Sequence, residues 1–186
     1  PVDMYIGGSE HATMHLLYAR FVTKALRDMG HLDFDEPFKK LYHQGTITKD
    51  GSKMSKSKGN TVSPDIFIDQ YGSDVFRCYL MFMGPYDEGG DWNDKGITGI
   101  ARFLNKIWNI ANLEIDNANK SSEAIVHKTL KSVTHDLDNF KFNTAISRMM
   151  EMANELTSSD TLSEDSKVII NKIVDKLKNK FNAIQR

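Results

Sequence analysis

Lys53-Met54-Ser55-Lys56-Ser57 lies between Gly51 and Gly59 in a stretch with no apolar periodicity. Lys53, Lys56 and Lys58 cannot share one helical face, and the flanking glycines predict a mobile basic loop suited to polyphosphate. In adenylate transfer, negative charge builds as the α-phosphate is attacked and pyrophosphate departs. A lysine on a closing loop can reach that charge and leave with the product, and Ser55 and Ser57 add hydroxyl donors. By charge alone, a solvated lysine loop is the competing reading. Upstream, Gly7 and Gly8 carry no side chain where a ligand could approach. Glu10, at an expected helix start, can accept from sugar hydroxyls while gaining from the dipole. His11 and His15 are four apart and are expected on one helical face. They could face a ligand or be satisfied inside a helix–sheet interface. A zinc reading fails on order, since no glutamate follows the first histidine as in H-E-x-x-H, so no protein-bound structural metal is expected. His43, Gln44 and Gly45, just ahead of the basic loop, suit either a purine or loop–strand hydrogen bonds.

These residues need elements to hold them. Val2, Met4 and Ile6 alternate with polar neighbours, predicting a strand that ends at Gly7-Gly8. A helix should follow, capped by Ser9 or begun near Glu10, with Ala12, Leu16, Ala19, Val22, Leu26 and Met29 at helical spacing. Leu17, Tyr18 and Phe21 widen the stripe, so most of this helix should be buried; Gly30 should stop it. Leu41–Ile47 predicts a second strand leading into an Asp50-Gly51 turn. A short helix should open at Ser63-Pro64-Asp65 and stop at Gly72. Another, from Ser73-Asp74, should bury Val75, Phe76, Tyr79, Leu80 and Met83.

Beyond the acidic stretch Asp87–Asp94, where Trp92 is read as a packing anchor, the pattern becomes helical. Ile100, Leu104, Ile107, Trp108 and Ala111 form one stripe; Val126, Leu130, Val133, Leu137 and Phe140 the next; Phe142, Ile146, Met149, Ala153 and Leu156 a third. Trp108 is expected in the core. Thr161 and Glu164 have capping-box spacing ahead of Ile170, Ile173, Val174, Leu177, Phe181 and Ile184. The fold class expected is an α/β remnant, half of a parallel nucleotide-binding unit, followed by an all-α helical bundle with polar connections at 116–122 and 157–163.

Composition bounds the rest. Of 186 residues, 40% are hydrophobic and 26% charged, with a formal net charge of −1, ordinary for a globular chain with its own core. Residues 39–58 hold six lysines against one aspartate, whereas residues 86–94 hold four acids and no base. One face should therefore attract phosphate and another repel it. Cys78 is the single cysteine, which rules out an internal disulfide and fits a reducing cytoplasm. No apolar run approaches the roughly 20 residues that span a bilayer, and no secretory signal is visible. The proline opening directly on a strand reads as a boundary cut through a larger protein, with initiator-methionine removal before a small residue as the alternative.

At these residues the chain resembles the bacterial-type leucyl-tRNA synthetases, over about residues 1–156. The resemblance is carried by Tyr5–Tyr18, His43-Gln44-Gly45, Lys53–Ser57 with Gly59-Asn60, and Tyr71-Gly72-Ser73-Asp74. Arg77, Met81–Pro85, Trp92 and Arg102-Phe103 leading to Trp108 add to it. It implies leucine activation with ATP and Mg2+, then transfer to tRNA(Leu). It further implies that Lys53 and Lys56 contact the ATP phosphates, Lys56 foremost, with Met54, Ser55 and Ser57 in the same loop. Gly7, Gly8 and Glu10 would meet the adenosine and ribose, His11 and His15 the nucleotide or leucine side, and His43, Gln44 and Gly45 the adenine. Residues 1–62 would be the second half of a Rossmann-type catalytic domain, 63–95 a stem-contact region, and 96–186 part of a tRNA-binding bundle with a divergent tail. The family's His-Ile-Gly-His-type signature, its ammonium-binding aspartate and its editing domain belong to an amino-terminal half that has no counterpart here. The isolated chain is accordingly expected to be inactive without that half. The competing reading is a nucleic-acid-binding module or a homologue without catalysis; the stretch from Ser163 to Arg186 has six basic and three acidic residues.

Overall fold

The computed structural model describes residues 1–184, and of residue 184 the backbone alone. The chain divides into two compact units. One is Pro1–Thr46 with Asp87–Gly89; the other is Ile47–Tyr86 with the chain from Gly90 onward.

In the first unit, β1 (Tyr5–Gly7) and β2 (Leu41–His43) pair in parallel, with Tyr5 opposite Leu41 and Gly7 opposite His43. A bridge between Val2 and Phe38 extends the pairing. The connection that a parallel pair requires is supplied by α1 (His15–Asp28), which ends at Gly30 in the left-handed region. Arg20 grips Glu36 through both carboxylate oxygens at 2.7 and 2.8 Å, and Lys24 adds a contact at 3.1 Å. Hydrogen bonds from Arg20 and then Lys24 hold the Glu36 carboxyl down at about 2. The predicted strand over 41–47 is interrupted. Gln44 donates its backbone N–H to the Gly7 carbonyl, and Gly45 lies so close to the Glu88–Gly89 backbone that a Cβ there would collide with the Gly89 nitrogen.

Two expectations for α1 are corrected. It does not begin at Ser9 or Glu10. Ser9–Thr13 forms a 3-10 turn, Met14 leaves helical geometry at φ −119° and ψ −104°, and α1 starts at His15 with no side-chain cap. Nor is the helix mostly buried: only Leu16 and Thr23 are, whereas Phe21 is 72%, Met29 70% and Tyr18 67% exposed. One helix beside a two-stranded sheet has a single narrow surface to pack on, so the wide stripe is left uncovered within this unit.

β3 (Thr46–Lys49), β4 (Ser52–Lys53) and β5 (Gly89–Trp92), which lie in the second unit apart from the first residues of β3 and β5, form a sheet in the order β4-β3-β5. Helices α2 (Pro64–Tyr71) and α3 (Ser73–Phe82) follow, with Pro64 opening the first and Gly72 at φ 87° separating them. The buried side of α3 is Cys78, Tyr79 and Met81; Val75, Phe76, Leu80 and Met83 are half-buried. Burial pushes the Cys78 thiol up to about 12, leaving it inert. Trp92 anchors this region, edge-on to Phe67 at 4.8 Å and Tyr79 at 5.1 Å, with its indole N–H donating to Asp94 at 2.6 Å. The Tyr79 hydroxyl donates to the Asn93 carbonyl at 2.8 Å and accepts the Asn93 N–H at 3.2 Å. It also passes where a Cβ at Gly96 would lie, at 2.7 Å.

Four longer helices complete the unit: α4 (Gly96–Ala111), α5 (Glu123–Asp138), α6 (Phe142–Leu156) and α7 (Glu164–Ile184). Ile97, Ile100, Phe103, Ile107 and Ile110 form the buried stripe of α4, and Trp108, one position off it, is 71% exposed rather than core. The expected stripe of α6 is buried throughout, as are Ile170, Ile173, Leu177 and Phe181 of α7; the side chain of Ile184 lies outside the described residues. The connections are tied rather than free: β6 (Glu114–Ile115) pairs in parallel with β7 (Thr161–Leu162). The start of α7 is capped by Ser163, whose oxygen accepts the Ser166 N–H at 3.2 Å, not by Thr161 as expected. Thr161 is instead in β7, where its oxygens accept from Asn119.

Candidate functional site

The Lys53–Ser57 loop grows out of a hairpin. Thr48 pairs with Lys53 and Lys49 with Ser52, and the connecting Asp50 and Gly51 have φ of 54° and 69°. Two consecutive positive φ values define the turn that Asp-Gly favours. Asp91, on the neighbouring strand β5, accepts the Thr48 hydroxyl at 2.5 Å and the Gly51 N–H at 3.0 Å. Those bonds, the Thr48 one foremost, hold its carboxyl below the usual carboxylate range. After Lys53 the chain leaves the sheet and makes one 3-10 turn, Lys56–Lys58, closed by Gly59 at φ 67°. Asn60 crosses the neck of the loop, accepting the Ser55 N–H at 2.8 Å and donating to the Lys53 carbonyl at 3.3 Å. The hydroxyls of Ser55 and Ser57 are 2.8 Å apart. Met54 and Ser55 are half-buried, whereas Lys53, Lys56 and Lys58 are exposed and, among the described residues, none is held in an ion pair. Three exposed ammonium groups on six residues concentrate positive charge on this loop.

The other predicted residues belong to the first unit. Gly7 ends β1, and its carbonyl receives the His43 ring nitrogen at 3.1 Å and the Gln44 N–H at 3.2 Å. The Glu10 carboxylate folds back over Gly8, into space that a Cβ at Gly8 would fill. Because the chain breaks at Met14, His11 and His15 do not share a helical face as expected: His11 is in the 3-10 turn and His15 opens α1. His15 stacks on Tyr5 at 5.5 Å and lies 3.1 Å from its hydroxyl. His11 Nδ1 is buried and finds no hydrogen-bond partner among the described residues. Gly7, Gly8, Glu10, His43 and Gln44 thus meet at the end of β1, whereas His15 is held by Tyr5 at the start of the strand and Gly45 lies against the Glu88–Gly89 backbone. Among the described residues no three of His, Cys, Asp and Glu converge as a metal site.

Sequence reasoning missed Asp91, Thr48 and Tyr5 as parts of these constellations. Nothing in local spacing links position 91 to position 51; only the sheet order does. Asn60 was legible as the end of the loop, but its bridging amide was not.

Residues 1–93 match the family description "tRNA synthetases class I (I, L, M and V)". The chain belongs to the class I tRNA synthetases. Within the synthetases, a leucine–tRNA ligase of Caldanaerobacter subterraneus subsp. tengcongensis is 55% identical over 170 residues, which are 84% of this chain and 21% of that protein. One from Clostridium tetani is 53% identical over 181 residues, 90% of this chain and 22% of the relative. Among solved synthetase structures, agnB2 LeuRS of Agrobacterium radiobacter K84, in a ternary complex with tRNA and LeuAMS, is 33% identical with a TM-score of 0.79. That match covers 96% of this chain and 26% of the other. The chain therefore spans about a fifth of the length of the curated relatives it matches.

Proposed function

We propose that this chain is the section of a leucine–tRNA ligase that presents the lysine loop to ATP. The complete protein then joins leucine to tRNA(Leu) through leucyl-adenylate. The observation that carries this reading is the KMSKS run on an exposed, hairpin-anchored loop, in a chain more than half identical to leucine–tRNA ligases. Lys56, with Lys53, stabilises the charge on the phosphates as pyrophosphate leaves; Met54, Ser55 and Ser57 shape the loop, and Mg2+ arrives with the nucleotide. Gly7 and Gly8 leave room for adenosine, Glu10 accepts from the ribose, and His11 and His15 face the nucleotide or leucine. His43, Gln44 and Gly45 border the adenine.

Residues 1–62 are read as the second half of a Rossmann-type catalytic domain, which the parallel β1–α1–β2 arrangement supports. Residues 63–95 are read as the stem-contact region and 96–186 as part of the tRNA-binding bundle. The uncovered apolar face of α1 supports an amino-terminal catalytic half as the missing partner, because a stripe that wide belongs to a helix covered on more than one side. No helix among the described residues is long and apolar enough to cross a membrane, in keeping with a cytoplasmic enzyme.

A nucleic-acid-binding role is favoured by a separate observation. Arg102, Asn105, Lys106 and Asn109 line a groove of about 370 Å³ along α4, with Trp108 exposed on the same helix. Basic and amide donors beside an exposed indole suit an RNA strand. The two readings separate in leucine-dependent ATP–pyrophosphate exchange, run on the chain alone, with the amino-terminal half added, and with Lys56→Ala as control. Exchange restored by the added half and lost in the control supports the synthetase site. Salt-dependent tRNA binding with no exchange in any mixture favours the binding module.

A further inference from the structure

We infer that Asn60 and Asp91 are positioning residues for the lysine loop, two side chains that fix its backbone at opposite necks and so aim Lys53 and Lys56. The inference rests on the reading that the loop serves the ATP phosphates. Neither side chain belongs to the KMSKS run, and neither carries charge toward a phosphate; each acts on main-chain groups.

Asn60 closes the loop on itself. Beyond Lys53 the strand pairing has ended, and the only regular structure before Asn60 is the single turn Lys56–Lys58. One amide therefore spans the opening, accepting the Ser55 N–H on its oxygen and donating an N–H to the Lys53 carbonyl. Both contacted residues flank Met54, so the clamp sets the direction in which the chain leaves the sheet and enters the lysine turn. Gly59 at φ 67° is the pivot beside it, and a Cβ there would touch nothing within 4 Å. Backbone conformation, not crowding, is what that position demands.

Asp91 fixes the other neck. An Asp-Gly turn forms a two-residue hairpin by its own conformational preference, so the carboxylate is not needed to make the turn. What it does is tie the turn to β5, by taking the Thr48 hydroxyl and the Gly51 N–H on one oxygen. Its ionised state at neutral pH makes both bonds charge-assisted. With the base tethered and the neck clasped, motion is confined to the segment that bears the lysines. Such a segment can close on a polyphosphate without losing alignment.

The test uses the full-length gene product with Asn60→Ala, Asn60→Asp, Asp91→Ala and Asp91→Asn. Leucine-dependent ATP–pyrophosphate exchange is measured beside tryptic cleavage after Lys53, Lys56 and Lys58, read by mass spectrometry. The two alanine variants should cut faster at those lysines and lose about 10–100-fold in kcat, the penalty of a displacement near 1 Å. Their KM for leucine should stay unchanged. Asp91→Asn and Asn60→Asp keep the acceptor oxygen and should recover much of the rate. Wild-type tryptic rates in both alanine variants would overturn the clamp. Faster cleavage with wild-type kcat would overturn its catalytic meaning. A loss of kcat accompanied by a higher KM for leucine and no recovery in the conservative variants would make both residues merely structural. No exchange by the wild-type protein would overturn the proposed function instead, while the cleavage rates still judge the clamp.

Discussion

Phe142→Ala probes the core of the helical unit most directly. Phe142 is 1% exposed and meets Tyr86, Phe140 and Phe181 edge-on, at ring-centroid distances of 5.4, 5.5 and 6.0 Å. Truncating a buried phenylalanine costs about 3–5 kcal/mol. Each edge-on pair is worth about 0.5–1.5 kcal/mol beyond its buried area, so three of them place this site near the top of that range. With an m-value of about 2 kcal/mol/M in urea, a loss of about 4–5 kcal/mol lowers the midpoint by about 2 M. Helices α2–α7 all lie in the second unit, so far-UV circular dichroism reports chiefly on it. Phe142→Leu, which keeps most of the volume but loses all three edge-on pairs, should cost less than the alanine variant, about 1.5–3 kcal/mol. A double-mutant cycle with Phe181→Ala should return a coupling of about 0.5–1.5 kcal/mol for that ring pair. A midpoint shift below about 0.5 M for Phe142→Ala, at unchanged m, would refute the claim that these four rings form one packed cluster.

Lys56→Ala in the full-length gene product should slow leucyl-adenylate formation about a hundredfold at saturating ATP and leucine, and an unchanged pre-steady-state rate would remove the lysine from the chemistry. Gly45→Ala drives a Cβ into the Glu88–Gly89 backbone and should destabilise the first unit by about 1–3 kcal/mol or more, visible as faster hydrogen exchange at the β2 amides. Trp108→Ala should change the urea midpoint by an amount equivalent to less than about 0.5 kcal/mol, because the ring is exposed; a large loss would mean that it packs. The Glu36 carboxyl falls from 4.5 to about 2 on folding, so its contribution is complete above pH 4.5 and is lost as pH falls toward 2. A carboxyl-carbon titration by NMR should place its midpoint near 2, and screening by added salt should raise it.

Legibility in the sequence followed the range of the physics. Asp50-Gly51 announced its turn because backbone preference is local, and the α6 stripe was read in full because both of its walls belong to the same bundle. The α1 pattern was read correctly as helical and wrongly as buried, since periodicity records what a face is suited to meet and not what is beside it. Trp108 misled in the other direction: it is adjacent to the buried Ile107, and a step of one residue on a helix turns about 100° away from the core. The β6–β7 pair joins residues from two connections that look merely polar, and no local signal exists for a partner so distant. At the candidate site, residue types declared the lysine loop, while Asp91 stayed hidden because its role depends on which strand adjoins β3.

The single hydroxyl of Tyr79, serving both main-chain groups of Asn93 while its ring passes over Gly96, has a consequence for how this sequence can drift. Replacing Tyr79 by Phe takes the acceptor from the Asn93 N–H and one of two donors from its carbonyl, which keeps the Gly96 N–H at 3.0 Å, at a cost of about 0.5–1.5 kcal/mol per hydrogen bond lost. Adding a methyl group at Gly96 collides with the ring and its oxygen. Each change alone is destabilising, whereas a smaller residue at 79 makes room for a larger one at 96. The two positions should therefore covary across homologous sequences, with glycine at 96 wherever tyrosine stands at 79.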